Sequence, residues 1–193
     1  LVRTVHNIYA INALPRFAHQ WLAGKFDVSV ACGEAVARVY PFMGENQRCI
    51  ENGVDIGVPR LNDASLLRQQ LGVDASVPLL MCVGSFDLRN GILQKAQDIV
   101  VEALARIETG PVVVCFLGDG ERRPWVELRA QALGVLERCR FPGKVVDVHG
   151  YLSAADAVLM PSRFEGLPIG AIEAACVGKP LVLSSIPQLV PFE

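Results

Sequence analysis

The chain has 193 residues, of which 51% are hydrophobic and 20% charged, so it can bury a full globular core, and no apolar run reaches membrane-spanning length. Its formal net charge of −2 argues against nucleic acid as the main partner. The six cysteines lack C-x-x-C or any metal-like spacing, and three of them fall in apolar, strand-like runs. We therefore expect free structural thiols and a reducing compartment.

Hydrophobic periodicity predicts strands that alternate with helices along the chain. The predicted strands cover residues 1–7, 28–33, 79–84, 112–118, 140–143, 157–160 and 180–184. The predicted helices cover residues 14–26, 64–71, 94–107 and 125–136, a single turn at 151–156, and a segment that follows Pro168. This alternation predicts an α/β fold built on a doubly wound parallel sheet.

The segment 161–180 combines a strand end, a glycine-rich turn and a helix, and short apolar runs flank it on both sides. Glu165 falls in the loop at the carboxyl end of a strand, where open parallel sheets bind ligands. Glu173 falls in the second turn of the helix and leans back toward the same crevice. Free amides in the first turn predict a phosphate or diphosphate site between the two carboxylates. Those amides belong to Ile169, Gly170 and Ala171.

This segment carries a resemblance to a known family. The run Glu165-Gly166-Leu167-Pro168, followed by Glu173-Ala174 and Gly178-Lys179-Pro180, resembles the donor-site signature of the retaining glycosyltransferases of family four. An E-x7-E pair alone is a weak pattern, but within A-D-x4-P-S-x2-E-G-L-P-x4-E-A-x3-G-K-P it is specific. The resemblance implies the GT-B architecture, in which two Rossmann-like domains face each other across a cleft.

The resemblance also implies a domain division near residue 45. Residues 1–45 would form the last part of the N-terminal, acceptor-side domain, and earlier segments of that domain would be missing. Residues 46–193, which open with an I-x-N-G-V-D-like entry, would form the nucleotide-sugar domain, incomplete at its end. We expect such a chain to hold a donor but not to transfer a sugar alone.

The family pattern assigns roles to individual residues. Glu165 would approach the donor sugar and the reacting face, with Gly166 and Leu167 in the same donor loop, while Glu173 would hold the ribose hydroxyls. His6, in a T-V-H strand end, would reach the donor sugar from the facing domain, although a lone histidine there is as often structural.

The diphosphate site departs from the family pattern. Lys95, in the context Q-K-x-Q-D, matches the lysine that the family directs at the diphosphate. Ser85, however, stands where family members carry an arginine, and a hydroxyl cannot replace bidentate guanidinium contacts. Arg89, followed by the turn signal Asn90-Gly91, is the candidate for a second cation from a shifted position.

The predicted function is that of a retaining glycosyltransferase of polysaccharide biosynthesis, which moves a sugar from a nucleotide-diphosphate sugar to a glycan, lipid or other acceptor. No cofactor or metal is expected, and the absence of a D-x-D motif agrees with this. We expect a cytoplasmic protein. The basic and aromatic segment 16–26 could also contact the inner face of a membrane or a lipid-linked acceptor.

Two alternatives share the same architecture. A nucleotide-sugar binding module without transferase activity is motivated by Ser85 and by the missing domain segments. A non-hydrolysing nucleotide-sugar epimerase would need acid and base groups from the absent N-terminal region.

Overall fold

The computed structural model describes residues 2–5, 21, 24–39, 46–55 and 64–190, and its strands form two parallel sheets and one short hairpin. The strands are β1 Val2–Val5, β2 Val28–Ala31, β3 Gln47–Cys49, β4 Leu79–Val83, β5 Leu88–Arg89, β6 Ile92–Leu93, β7 Val113–Leu117, β8 Cys139–Gly143, β9 Ala157–Met160 and β10 Leu181–Leu183. The helices are α1 Glu34–Val39, α2 Ala64–Gln70, α3 Gln97–Ala105, α4 Arg123–Ala132, α5 Val148–Ala154 and α6 Ile169–Cys176, with a 3₁₀ turn at Leu136–Arg138.

The larger sheet has five parallel strands in the order β10-β9-β4-β7-β8. The chain first builds this sheet outward from β4 through β7 to β8, then returns to the other side of β4 to add β9 and β10. The strand order therefore reverses between β4 and β9. In open α/β sheets the crevice at such a switch point, outside the carboxyl ends of the strands, is where ligands bind.

Both faces of this sheet are buried, which explains why its strands are continuously apolar rather than alternating. All five residues of β7 are buried. Val113, Cys115 and Leu117 face the core formed with α5 and α6, whereas Val114 and Phe116 face the core formed with α3 and α4. The second core contains an aromatic cluster in which the rings of Phe116 and Phe141 stack at 4.9 Å.

The smaller sheet pairs β1, β2 and β3 in parallel. Its small core consists of Val5, Ala31, Cys32 and Val36, and Leu167 from the loop after β9 packs against it. The predicted boundary near residue 45 lies outside the described residues, so the domain division remains a prediction. Among the described residues, no helix is long and apolar enough to cross a bilayer.

The doubly wound parallel sheet is confirmed, and the differences from the predicted elements are local. Residues 148–154 form a seven-residue helix, α5, in place of the single turn predicted at 151–156; the Asp147 carboxylate accepts the Gly150 amide at 2.9 Å and caps its start. The long loop after β4 contains the antiparallel hairpin β5-β6, which had no alternating pattern to reveal it. The predicted helix over 14–26 lies largely outside the described residues.

The cysteines are free thiols, as predicted. Cys82, Cys115 and Cys139 are buried in the two cores of the larger sheet. Burial raises the pKa of Cys82 and Cys115 to about 12 and that of Cys139 to about 11, because desolvation penalises the thiolate. These thiols act as small apolar side chains.

We expect a thiol reagent to modify the exposed cysteines faster than the buried ones. At pH 8 a thiol with a pKa near 12 is ionised in about one molecule in 10,000, so iodoacetamide should label the exposed Cys49 and Cys176 and spare Cys82 and Cys115. Peptide mass mapping checks this, and labelling in urea provides the positive control. Equal labelling of Cys82 and Cys176 in the folded protein would contradict the packing described above.

The neighbouring strands β4 and β7 are each followed by a glycine, Gly84 and Gly118, because the backbones of these two residues lie very close together. Gly118 has a φ of +134°, and a Cβ built on it would lie 2.2 Å from the carbonyl oxygen of Gly84. Gly84 in turn donates its amide to the Leu117 carbonyl at 2.9 Å. No other residue type fits this approach.

Gly118→Ala should therefore cost more than the same change at a glycine with open surroundings. We expect a loss of about 2 to 5 kcal/mol in the free energy of unfolding, since backbone strain and overpacking add. The matched control is Gly110→Ala, where φ is +78° and an added Cβ would have no described atom within 4 Å beyond its chain neighbours, with an expected loss of about 1 to 2 kcal/mol. Urea unfolding measures both, and equal losses would contradict the steric explanation.

Candidate active site

Two loops form the candidate site, one after β4 and one after β9, on either side of the switch point. The first runs from Gly84 through the hairpin to the start of α3, and the second runs from Pro161 to Pro168. Because β4 and β9 are adjacent parallel strands, their carboxyl ends meet at one edge of the sheet. Residues 70 positions apart in sequence are thereby brought into contact.

An ion pair joins the two loops. The Lys95 ammonium lies 2.7 Å from Oε1 of Glu165, and the side chains are 22% and 5% exposed respectively. The aliphatic stem of Lys95 passes so close to Gly84 that a Cβ there would lie 2.5 Å from its Cγ. The glycine at the end of β4 thus makes room for the lysine that pairs with Glu165.

Three polar residues that the sequence analysis missed fix the Glu165 loop in place. The Arg163 guanidinium binds both carboxylate oxygens of Asp98, at 2.9 and 2.7 Å, and also donates to the Leu93 carbonyl at 2.8 Å. The hydrogen bond to Asp98 raises the pKa of Arg163 above its usual value. Gln94, which is 7% exposed, contacts Glu165 directly. The only sequence signal is that Gln94 and Asp98 begin and end the Q-K-x-Q-D context of Lys95, because spacing gives no sign of contacts across about 70 residues.

The second predicted carboxylate, Glu173, lies in the second turn of α6 as expected. It is half-buried, and its carboxylate makes no hydrogen bond or ion pair with the residues that the structure describes. Ala171 and Ala174 on the same helix are fully buried, so α6 packs closely on the sheet. The Glu173 carboxylate therefore has no partner among the described residues, and the closely packed helix α6 holds it in place.

The expectation of three free amides at the start of α6 is wrong for one of them. The Ala171 amide donates to the Pro168 carbonyl at 2.9 Å, because the first turn closes with an i to i−3 hydrogen bond. Among the residues that the structure describes, no side chain caps this helix. Within the described residues, the amides of Ile169 and Gly170 have no partner, so the helix start offers two free donors rather than three.

Comparison with known proteins identifies the family. The family model described as glycosyl transferases group 1 matches residues 77–191, more than half of the chain. The chain belongs to the group 1 glycosyl transferases.

Individual relatives agree with this assignment. Granule-bound starch synthase 1 of Pisum sativum is 30% identical over 128 residues, which cover 62% of this chain and 19% of that protein. Glycogen synthase of Mycobacterium tuberculosis is 27% identical over 200 aligned residues, which cover 94% of this chain and 44% of that protein. The chain thus spans less than half the length of these relatives.

Solved structures confirm the GT-B type of fold. The Anabaena protein HepE in complex with UDP-glucose superposes with a TM-score of 0.80 at 27% identity, covering 98% of this chain and 54% of that one. WaaG, a glycosyltransferase involved in lipopolysaccharide biosynthesis, gives a TM-score of 0.68 at 20% identity over 85% of this chain and 46% of that one, which shows the fold alone.

At Ser85, where the family pattern predicts an arginine, hydrogen bonds close a short turn. The Ser85 hydroxyl donates to Asp87 Oδ2 at 2.5 Å, and Asp87 Oδ1 accepts the Glu121 amide at 3.2 Å. These hydrogen bonds lower the pKa of Asp87, the one from Ser85 being the larger cause. Arg89 on β5 is exposed, and no hydrogen bond or ion pair joins its side chain to another described residue. The Ser85 hydroxyl is therefore hydrogen-bonded within its own turn. Arg89 does not take part in the Lys95–Glu165 ion pair.

The loop after β9 also touches the smaller sheet. Leu167 packs against the core of that sheet, which contains Cys32, and burial raises the pKa of the Cys32 thiol. Gly166 is buried in the same loop. His6 lies outside the described residues. Among those that are described, no group of three His, Cys, Asp or Glu side chains could hold a metal ion.

The ion pair makes a testable contribution to stability. Lys95→Met keeps the stem over Gly84 but leaves the Glu165 carboxylate buried without its cation, so we expect a loss of about 2 to 4 kcal/mol in the free energy of unfolding. Glu165→Gln added to Lys95→Met removes the stranded charge and should recover most of this loss. Urea unfolding of both variants measures the effect. A double variant less stable than the single one would show that the buried charge is not the cause.

Proposed function

We propose that this chain forms the donor-binding part of a retaining glycosyltransferase, which moves a sugar from a nucleotide-diphosphate sugar to a glycan, a lipid-linked or another acceptor. One observation carries the proposal. A buried carboxylate, paired with a half-buried lysine, lies at the switch point of a parallel sheet, in the loop that leads to a helix whose first two amides have no partner among the described residues. A diphosphate and its sugar need such a set of charges and donors.

The donor's parts can be assigned to these groups by their chemistry. An ammonium has three N–H donors, so Lys95 can bind Glu165 and still donate to a phosphate oxygen. The amides of Ile169 and Gly170 offer the diphosphate two further donors at the positive end of α6. Glu173, uncommitted among the described residues, would accept the ribose hydroxyls, and Glu165 would accept the sugar hydroxyls.

UDP is the nucleotide that the comparisons favour. HepE, a relative at 26% and 27% identity in two of its structures, was solved in complex with UDP and with UDP-glucose. The proposal for this chain is therefore a UDP-sugar donor.

The transfer itself would need no metal. The bond from the anomeric carbon to the diphosphate oxygen breaks, and a bond from the acceptor oxygen to the same carbon and face forms. The acceptor proton passes to an oxygen of the leaving diphosphate. Negative charge develops on that diphosphate, and a fixed cation such as Lys95 and the helix amides would stabilise it.

The division into parts is also a proposal. Residues 46–193 would form the nucleotide-sugar domain, and residues 1–45 the end of the facing domain, which would bring His6 toward the donor. The contact of Leu167 with the smaller sheet supports a close approach of the two parts. Trp21 is 65% exposed, and the Lys25 ammonium lies 5.0 Å from its ring centre, an arrangement suited to peripheral contact with a membrane on the cytoplasmic side.

One observation favours a second candidate function, a nucleotide-sugar binding module without transferase activity. The turn that replaces the family's arginine carries the ionised Asp87, which adds negative charge on the donor side of β4. Such a site would bind a nucleotide diphosphate yet stabilise the departing diphosphate poorly. Detection of sugar transfer by the whole protein would exclude this candidate.

Nucleotide binding tests the proposal directly. UDP at about one hundred times its dissociation constant should add about 2.7 kcal/mol of stability, which raises the melting temperature by roughly 5 to 10 °C for a chain of this size. GDP and ADP are expected to raise it less. Glu173→Ala should weaken UDP binding by about 2 kcal/mol, roughly 30-fold, because a charged hydrogen-bond acceptor is lost.

The control for this experiment is Glu108→Ala, at an exposed glutamate that makes no hydrogen bond or ion pair with another described residue. This variant should respond to UDP as the wild type does. If no nucleotide raises the melting temperature, the donor site proposed above does not exist. If Glu173→Ala binds UDP as well as the control variant, the ribose role of Glu173 is wrong.

A further inference from the structure

We propose that Gln94 is a positioning residue for Glu165, which fixes the direction of its carboxylate for contact with the donor sugar. The inference rests on the proposed function. It goes beyond the support of the loop described above, because Gln94 would act on donor recognition through Glu165 rather than by contact with the donor.

Gln94 binds three successive residues of the facing loop. Its carbonyl accepts the Arg163 amide at 2.9 Å, and its side-chain Nε2 donates to the Phe164 carbonyl at 2.9 Å and to Glu165 Oε2 at 3.3 Å. The side chain is buried, so water does not compete for these contacts. One residue thus sets both the path of the loop and the orientation of the carboxylate it carries.

The orientation of the Gln94 amide follows from its neighbours. A primary amide has two N–H donors, and the two groups that face it, a carbonyl and a carboxylate, only accept. The nitrogen must therefore point at the loop, and a glutamate of the same shape could not make either contact.

The two carboxylate oxygens of Glu165 are held by different groups. Lys95 binds Oε1 at 2.7 Å, and Gln94 binds Oε2. Lys95 alone would leave the carboxylate free to turn about its last torsion, which is broad and soft. With both donors present, the remaining lone pairs keep one direction, as the recognition of specific sugar hydroxyls requires.

Neighbouring contacts separate this role from general support of the loop. The Arg163–Asp98 pair and the Arg163 contact to the Leu93 carbonyl anchor the loop without Gln94. Loss of the Gln94 amide should therefore disturb the carboxylate more than the loop, and should affect the sugar end of the donor more than the nucleotide end.

The test is a comparison of UDP with a UDP-sugar by isothermal titration calorimetry on the purified protein. UDP-glucose and UDP-N-acetylglucosamine serve as probes, and the one that the wild type binds more tightly is used. We expect Gln94→Leu to weaken that UDP-sugar roughly 10- to 100-fold, as for the loss of a hydrogen bond to a charged group, and UDP less than about threefold. Gln131→Leu, at an exposed glutamine on α4, is the matched control and should change neither.

A double-mutant cycle decides whether Gln94 acts through Glu165. In the Glu165→Gln background, Gln94→Leu should change UDP-sugar binding less than about threefold, because the carboxylate it positions is gone. Equal weakening of UDP and UDP-sugar, or the same loss in both backgrounds, would overturn the proposal. Gln94→Glu, which keeps the side-chain volume, replaces Gln94→Leu if the latter does not fold.

The same measurement distinguishes the two proposals. A wild type that binds neither UDP nor a UDP-sugar contradicts the donor site itself, and the role of Gln94 with it. A wild type that binds the UDP-sugar, together with a Gln94→Leu variant that binds it equally well, contradicts only the role of Gln94.

Discussion

An ion pair between the Lys95 ammonium and the Glu165 carboxylate links the loops after β4 and β9, where the strand order of the larger sheet reverses. A carboxylate that is 5% exposed loses most of its hydration, and only a close cation with further hydrogen bonds offsets that cost. The neighbouring residues provide the space and the hydrogen bonds that this buried carboxylate needs. Gly84 makes room for the lysine stem, Gln94 satisfies the second oxygen, and the Arg163–Asp98 pair holds the loop. The charged site is stable because the backbone on both sides of it is fixed.

The electrostatics of the site differ from the family pattern in one place. Where an arginine is expected, Ser85 and Asp87 form a self-contained turn, and the described cation closest to Glu165 is Lys95. Arg89 and Lys144 both act on Asp87 through their charges and lower its pKa, after the hydrogen bonds from Ser85 and Glu121. This arrangement keeps positive charge around the turn without a direct replacement for the guanidinium. In the transfer proposed above, stabilisation of the leaving diphosphate would then depend on Lys95 and the α6 amides more than the family pattern suggests.

Much of the fold could be predicted because its signals are local. Continuous apolar runs such as Val113–Leu117 gave the buried parallel strands, and glycines at strand ends marked the turns. Elements with weak local signals were missed or misplaced. The hairpin β5-β6 has only two residues in each strand, and α5 begins at a glycine-containing segment whose start depends on the Asp147 cap. The Ala171 amide was expected to be free because the pattern does not reveal a tight first turn.

The sequence by itself determined the fold class and the family, because strand and helix periods and the E-x7-E signature are short-range patterns, and it supplied the candidate site residues as predictions. The family resemblance predicted that Lys95 and Glu165 belong to one donor site, the lysine at the diphosphate and the carboxylate at the sugar. Only the tertiary structure decided that these two groups touch, that Gln94 and Arg163 hold the loop between them, and that Glu173 stays uncommitted within the described residues. Such contacts span about 70 positions and depend on which strands become neighbours, and sequence spacing alone does not contain that information.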